Sequence, residues 1–392
     1  MSELADHVEK LLGMGASGAH PAGAVIGVRT AAGTSVEAGG WAVLPGPDSP
    51  GVPMSPGLAL DLASVTKVAS TTAIVMRLVA DRQLRLDDTV RTFLPAFVGE
   101  GKADVTLRHL LTHTAGLRAW WPLYLETTDR AAAVERVQQL PLAAAAGSTW
   151  LYSDLGLILA GAVVEHVTTL GLADAYRTLI AEPLGLASSY GQVAAEGAAT
   201  SSDSDAYEYR MVATGVPYPV PFVADQFTGW RDRPLRGEAN DRNAAHALGG
   251  VAGHAGLFST VDDLLTLGTA LRGGEFIPAD VLDAFAEPTP INPGQAVGFR
   301  RVVIDVEGEA ITVLRHGGFT GTSFAFARDK ELVVAGGAMR LYGAVGPIPR
   351  PGTTSRPRGL VTVDAIQDAL LDVGADVLRT ELSQTTTQAE DA

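Results

Sequence analysis

The order of apolar and polar positions predicts one helix and two strands at the start of the chain. Residues 3–13 repeat apolar side chains with helical period, whereas residues 22–30 and 34–42 alternate as strands around a short Ala-Ala-Gly turn. After a Pro- and Gly-rich loop at 45–57, an apolar helical run extends over residues 64–81. The first 80 residues therefore supply strands for a sheet and one long helix.

The rest of the chain changes from helical patterns to strand patterns. Residues 81–245 are mostly helical in pattern, and four strand-like runs joined by short turns follow them. Short turns connect antiparallel neighbours. We therefore predict an α/β (α+β) fold: residues 1–80 and 246–383 form an antiparallel sheet flanked by helices, and 81–245 form an inserted, mostly helical domain. Residues 384–392 are expected to be a frayed tail.

Residues 195–245 depart from the helical periodicity around them. They are polar and Pro-rich, and they carry six aromatic side chains: Tyr207, Tyr209, Tyr218, Phe222, Phe227 and Trp230. A disordered insertion would carry few aromatic residues, whereas long ordered loops commonly bind substrate. We predict that this irregular segment forms one wall of a substrate pocket, with Trp230 among the substrate contacts.

Composition restricts the partners and the location. The 392 residues are 46% hydrophobic and 19% charged, which permits a large core, and the net charge of −15 argues against nucleic acid or an anionic membrane as a partner. Disulfides and thiolate metal sites are excluded because the sequence has no cysteine. We find no secretory signal at the N-terminus and no apolar run of about 18 residues, so we expect a cytoplasmic protein of undetermined oligomeric state.

The most informative motif is S-V-T-K at 64–67, where the apolar helical run begins. Side chains three residues apart share one helix face, so the Lys67 amine can reach the Ser64 hydroxyl. A serine becomes a good nucleophile when a neighbouring group takes its proton, and N–H groups at a helix start suit an oxyanion. The alternative is an exposed lysine on a helix surface, although the chain has few lysines: Lys10, Lys67, Lys102 and Lys330.

Two further motifs follow, Y-S-D at 152–154 and H-G-G at 316–318. In the order S-x-x-K, Y-x-[ND], [KH]-x-G, the three resemble the serine β-lactamase and penicillin-binding-protein superfamily. The segments VTLRHLLTHTAGL (105–117) and DRNAAHALGGVAGHAGLFSTVDDLL (241–265) resemble signatures of its class C β-lactamase-like branch, which includes family VIII carboxylesterases, D-aminopeptidases and statin-synthase-like acyltransferases. This resemblance implies the β-lactamase/transpeptidase fold.

The resemblance also implies the catalytic roles. Ser64 would be the nucleophile, Lys67 would hold or relay its proton, and Tyr152 would pass a proton to the leaving group. The backbone N–H groups of Ser64 and Phe319 would form the oxyanion hole. Whether neutral Lys67 or a Tyr152 phenolate is the general base stays open from sequence.

Two positions differ from the pattern of the lactamases. Asp154 replaces the commoner Asn, and a carboxylate cannot donate a hydrogen bond to a substrate carbonyl; alternatively, Asp154 caps the helix that follows it. His316 replaces the usual Lys and could donate toward Tyr152 or a substrate carboxylate. Gly317 and Gly318 would let the substrate backbone approach the strand edge.

The remaining candidates for substrate or metal binding rest on weaker sequence signals. Trp120 and Trp121 could line an acyl pocket or pack in the core. Four histidines, His109, His113, His246 and His254, match no zinc spacing, so we predict neither a metal nor a cofactor.

The leading hypothesis is a serine hydrolase that cleaves small-molecule esters through an acyl-serine intermediate. An acyltransferase that passes the acyl group to an amine or alcohol shares the first half-reaction and remains the alternative. A catalytically inactive binding module and a β-lactamase or D-aminopeptidase are less favoured.

Overall fold

The computed structural model describes residues 3–350 and 359–390, which form a mixed α/β protein built on one large sheet. The strands are β1 (Gly23–Thr30), β2 (Gly33–Val43), β3 (Val52–Pro53), β4 (Leu60–Asp61), β5 (Ser189–Tyr190), β6 (Thr200–Ser202), β7 (Leu235–Arg236), β8 (Leu257–Ser259), β9 (Arg300–Val306), β10 (Glu309–Gly317), β11 (Thr322–Ala327) and β12 (Leu332–Ala338). The α-helices are α1 (Glu3–Leu12), α2 (Ala73–Ala80), α3 (Val90–Phe93), α4 (Leu107–Leu111), α5 (Arg130–Gln139), α6 (Asp154–Thr168), α7 (Leu172–Tyr176), α8 (Glu182–Leu184), α9 (Ala206–Thr214), α10 (Val261–Arg272), α11 (Ala279–Ala286) and α12 (Val363–Glu390).

Strands from the two ends of the chain form the main sheet. Its seven strands lie in the order β3-β2-β1-β12-β11-β10-β9, and every pairing is antiparallel. The central pair joins the first and last strands, with Ala24 opposite Ala338 and Thr30 opposite Leu332. The predicted fold class, an antiparallel sheet flanked by helices, is confirmed.

The period-two alternation of the strands separates two hydrophobic layers. On one face, Ile26 and Val334 pack in a cluster with α1 and α12; on the other, Val25 and Val333 belong to the larger core that includes α10. This alternation fixes the register, since a slip of one residue would exchange the two faces.

The helix that carries the S-x-x-K motif runs through the larger core. A 3₁₀ turn, Ala63–Val65, leads into a wide π-helical stretch, Lys67–Thr72, and then into α2. All six side chains of the π-helical stretch are buried. By length and composition Ala63–Ala80 could cross a membrane, contrary to our expectation that no run is apolar enough, but 78% of it is buried inside the fold, as in the core helix of a soluble domain.

The segment 195–245 is more ordered than its sequence suggested, because it contains helix α9 and the short strands β6 and β7. Buried ion pairs hold it together. The Asp205 carboxylate lies 3.0 Å from the Arg231 guanidinium and 2.5 Å from that of Arg242. Burial opposes ionisation of Asp205, but Arg242, His246 and Arg231 together lower its pKa below the ordinary value. Polar residues that seemed typical of a loop are thus the interior of this segment.

The C-terminal tail also differs from expectation. Helix α12 continues to Glu390, so residues 384–390 are helical in their backbone rather than frayed. The last two residues of the predicted tail lie outside the described part of the chain.

Candidate active site

Ser64 sits at a strained turn at the start of the core helix. Ala63, immediately before it, has φ +43°, a left-handed conformation that is costly for a residue other than glycine. The buried Asp61 carboxylate supports this turn by accepting hydrogen bonds from the Ala63 N–H (2.9 Å) and the Asn240 N–H (2.6 Å). Such strain persists only where neighbouring contacts enforce it, and here it presents the serine hydroxyl at a cavity.

The Lys67 amine lies directly against Ser64, as the three-residue spacing predicted. Its Nζ is 2.8 Å from Ser64 Oγ, 3.2 Å from the carbonyl oxygen of His254 and 2.8 Å from Asp154 Oδ1. Burial by itself lowers the pKa of Lys67, but the attraction of Asp154 and Tyr152 outweighs it and raises that pKa above its usual value. Lys67 is therefore an ammonium ion in the resting site.

Tyr152 completes the group from the helical side. Its ring centroid is 5.0 Å from Lys67 Nζ and 4.6 Å from the ring of His113. Burial raises the pKa of Tyr152, and the opposing effect of Lys67 does not reverse this, so its hydroxyl is protonated at neutral pH.

The loop that holds Tyr152 is fixed by residues on both sides of it. The Ser153 N–H donates to His113 Nδ1 (3.1 Å), and Ser153 Oγ accepts from the Gly156 N–H (3.3 Å). Ser153 is therefore the N-cap of α6, and the suggestion that Asp154 caps this helix is wrong. Asp154 is the first residue within α6, and its carboxylate faces Lys67.

The predicted oxyanion donors come together at the same cavity. Phe319 follows the end of β10, and its N–H finds no acceptor within residues 3–350 or 359–390. Two threonines connect this strand end to the turn that carries Ser64 by hydrogen bonds. Thr320 Oγ1 donates to the Asp61 carbonyl oxygen (2.8 Å), and Thr322 Oγ1 donates to the Leu62 carbonyl oxygen (3.0 Å). Phe319 and Ser64 are thus held in a fixed relation.

Gly317 and Gly318 are closely surrounded by protein atoms. A Cβ on Gly317 would lie 2.5 Å from Gln367 Nε2 of α12. A Cβ on Gly318 would lie 2.1 Å from Thr322 Oγ1 and 2.4 Å from the Leu62 carbonyl oxygen. Both glycines are therefore required by the close approach of protein atoms, and their role in admitting a substrate backbone stays a prediction.

His316 is buried and neutral. Its ring lies 5.9 Å from the ring of Tyr152, and its Nδ1–H donates to the carbonyl oxygen of Gly317 (2.9 Å). That tautomer leaves Nε2 as an acceptor rather than a donor. Burial lowers the pKa of His316 to about 3, so it offers no positive charge to a substrate carboxylate.

A cavity of about 200 Å³ brings these groups together. Its lining residues are Ala63, Ser64, Trp120, Tyr152, Asp154, Tyr207, Glu208, Met211, Pro217, Tyr218, Asn240, Asp241, Ala255 and Phe319. Half of them belong to the segment 195–245, which therefore forms one wall of the cavity. Burial raises the pKa of Glu208 to about 8, so this side chain is largely uncharged at neutral pH.

The three tryptophans proposed as substrate contacts are placed differently. Trp120 lines the cavity and stacks on Tyr218, with ring centroids 6.1 Å apart. Trp121 donates from Nε1 to Glu126 and does not line the cavity. Trp230 packs between Tyr124, Tyr209 and Phe227, away from the lining. Trp121 and Trp230 thus pack away from the cavity lining, which gives no support to the prediction that they contact substrate.

Sequence reasoning missed three supporting residues. His113 orients the Tyr152 loop, Asp61 supports the serine turn, and the His254 ring donates to Asp241 Oδ1 (3.0 Å) at the cavity wall. The two histidines lie inside the segments 105–117 and 241–265, so those signatures were the available signal. Across the described chain, no cluster of three or more His, Cys, Asp or Glu side chains could hold a metal ion.

Known proteins resemble this chain over most of its length. The β-lactamase family model matches residues 4–346. The chain is 33% identical over 318 residues to esterase EstB of Burkholderia gladioli, covering 72% of this chain and 78% of the esterase. It is 28% identical over 260 residues to an N-acetylmuramyl-L-alanine amidase of Bacillus subtilis (strain 168), covering 62% of this chain and 57% of the amidase.

The chain thus spans little more than half the length of the amidase. Among solved structures, EstCE1, described as a hydrolase with promiscuous acyltransferase activity, superimposes with a TM-score of 0.61 at 22% identity, covering 86% of this chain and 93% of EstCE1. At that identity the likeness concerns the fold.

Proposed function

We propose that this chain, which belongs to the β-lactamase family, is a serine hydrolase that cleaves small-molecule esters through an acyl-Ser64 intermediate. The observation that carries the proposal is the 2.8 Å contact between Lys67 Nζ and Ser64 Oγ at the floor of a cavity lined by Phe319. The ester carbonyl would bind with its oxygen toward the N–H groups of Ser64 and Phe319, which stabilise the tetrahedral oxyanion.

In the first half-reaction, Ser64 Oγ attacks the carbonyl carbon, and its proton moves into the group formed by Lys67, Tyr152 and the Asp154 carboxylate. The leaving alkoxide or phenoxide then takes a proton from that group, with Tyr152 on the cavity side. Water repeats the sequence on the acyl-enzyme and releases the acid. Trp120 and Tyr218 supply apolar contact for the acyl or leaving group.

The polarity of the cavity favours esters over β-lactams and over peptides that end in a carboxylate. Among the described residues that line it, none is Lys or Arg, and His316 behind Tyr152 is neutral. Asp154 and Asp241 add acidic groups to the wall. A substrate carboxylate would therefore lack a charged partner, and a charge-assisted hydrogen bond contributes about 1.5–3 kcal/mol. The similarity to esterase EstB supports the same choice.

Acyl transfer to an amine or alcohol is the second candidate. It shares the acyl-Ser64 intermediate, and the apolar side chains of Trp120, Met211 and Tyr218 in the cavity would favour an organic acceptor in place of water. EstCE1, whose fold this chain shares, is described as having promiscuous acyltransferase activity.

A substrate panel tests the proposal. We expect kcat/KM for p-nitrophenyl butyrate to exceed that for nitrocefin by at least about 10- to 100-fold, the cost of one missing charged contact. Ser64→Ala controls for background hydrolysis. Equal efficiency on nitrocefin would contradict ester specificity. Adding an alcohol or amine and measuring the ratio of new ester or amide to free acid separates the two candidates.

A further inference from the structure

The surroundings of Lys67 favour an ammonium ion over a neutral amine. Three acceptors contact its Nζ: Ser64 Oγ, Asp154 Oδ1 and the His254 carbonyl oxygen, at 2.8, 2.8 and 3.2 Å. A neutral amine could accept the Ser64 O–H with its lone pair, so the number of contacts alone fits either form of Lys67. The Asp154 carboxylate distinguishes the two forms, because its negative charge lies 2.8 Å from the buried Nζ and favours the ammonium ion.

Asp154 is the only carboxylate among these three contacts. The Asn that is commoner at this position in the motif carries no charge and could not form this ion pair. The Asp154 side chain is 19% exposed and Lys67 is 1% exposed, so water screens their attraction only weakly. The pair is formed by two catalytic motifs, S-x-x-K and Y-S-D, rather than by peripheral residues.

We propose that Asp154 is a positioning residue whose carboxylate keeps Lys67 charged and receives, through Lys67, the proton that Ser64 releases. The inference rests on the proposed acyl-serine chemistry. The sequence left open whether neutral Lys67 or a Tyr152 phenolate is the general base. In this proposal the resting site holds neither form, and the Asp154 carboxylate is the final proton acceptor.

The proton transfer from Ser64 through Lys67 to Asp154 conserves protons and charge. The Nζ–H bond that faces Asp154 breaks, an O–H bond forms at Asp154 Oδ1, and the amine rotates about its Cε–Nζ bond, which turns its lone pair toward Ser64. As Ser64 Oγ then bonds to the ester carbon, its O–H bond breaks and a new N–H bond forms at Lys67 Nζ. Lys67 is again an ammonium ion, Asp154 has become neutral, and the negative charge has moved to the oxyanion. The reverse path returns the proton to the leaving oxygen.

Other titratable groups face this pair. They are Tyr152, His113, His316, Tyr218 and Asp241, and Arg300 acts on the two histidines. Burial lowers the pKa of both His113 and His316, and burial raises that of Tyr152 and Tyr218. These four groups therefore keep one charge state between pH 6 and 8, while Asp241, beside His254, has a pKa below its ordinary value.

The test is the pH profile of kcat/KM for an aryl ester with Asp154→Asn and Asp154→Glu. For the wild type we expect a flat profile between pH 6 and 8. In Asp154→Asn, Lys67 must first lose a proton, so the rate should rise up to about tenfold per pH unit over that interval. Asp154→Glu keeps the carboxylate and should keep the flat profile at a reduced rate. A profile for Asp154→Asn that is lower but equally flat would overturn the proposal, because a merely structural role lowers the rate equally at every pH.

A second readout does not depend on activity. The chain has four lysines, so NMR of ¹³C-lysine-labelled protein gives few signals, and Lys67→Arg identifies that of Lys67. We expect Lys67 to remain an ammonium ion through pH 9 in the wild type and to titrate at lower pH in Asp154→Asn. A neutral Lys67 in the wild type at pH 8 would refute the proposal. Loss of acylation in the wild type would instead refute the proposed function, so the two failures are distinguishable.

Discussion

Gly318→Ala tests whether the close contact between β10 and the serine turn sets the oxyanion hole. The added Cβ would lie 2.4 Å from the Leu62 carbonyl oxygen and 2.1 Å from Thr322 Oγ1, whereas ordinary contact begins at 3.4 Å. One of the two segments must therefore move by about 1 Å. Leu62 lies two residues before Ser64, and Gly318 precedes Phe319, so the two predicted oxyanion donors would move apart.

The expected cost has two parts. A misplacement of about 1 Å near the reacting atoms lowers turnover by about 10²-fold, which is also the lower end of the effect of losing one oxyanion donor. Overpacking of this kind destabilises the fold by about 1–3 kcal/mol. The protein should therefore remain folded at 25 °C while losing most of its activity.

The assay is kcat/KM for p-nitrophenyl acetate together with urea unfolding. Gly46→Ala is the matched control, since a Cβ at Gly46 meets no atom within 4 Å and its φ is not positive. That variant should keep wild-type activity. If Gly318→Ala retains activity within twofold of the wild type, the strand end does not set the donor geometry.

Three further predictions follow from the same geometry. Lys67→Ala and Tyr152→Phe should each lower turnover by on the order of 10³-fold, and the double mutant should be little worse; multiplicative losses would separate their roles. Asp205→Asn removes the carboxylate that two buried guanidinium groups share and should cost about 3–5 kcal/mol in urea unfolding at pH 7. Because the pKa of Asp205 is lowered in the fold, this stabilisation is present at neutral pH and lost as the pH falls below the ordinary value of about 3.9, so the difference from wild type should shrink there. Tyr218→Ala should raise KM for aryl esters by about fivefold, the equivalent of roughly 1 kcal/mol, whereas Trp230→Ala should lower stability and leave KM unchanged.

The fold and the motif positions could be predicted from local signals. Strand alternation at 22–30 and 34–42 gave two strands at nearly their observed bounds, Gly23–Thr30 and Gly33–Val43. Helical spacing likewise placed Lys67 against Ser64. Both signals are periodicities within one element, which is what a sequence records directly.

Contacts between distant segments could not be predicted in the same way. The pairing of Asp154 with Lys67, the approach of Gly318 to Leu62 and the packing of Trp230 depend on how separate segments meet. The order within the segment 195–245 was not predicted for a related reason. Its polar residues form ion pairs with residues distant in sequence, as Asp205 does with Arg242. Low hydrophobicity in this segment therefore did not indicate an irregular loop.

The most direct test of the account is intact-mass analysis of the protein after brief exposure to a fluorophosphonate and, separately, to an aryl ester. We predict one covalent adduct per chain, located by peptide mapping on the residue Ser64, and no adduct in Ser64→Ala. A wild-type protein that takes up no adduct, or a Ser64→Ala protein that still acquires one, would contradict the central claim that Ser64 is the acylated nucleophile.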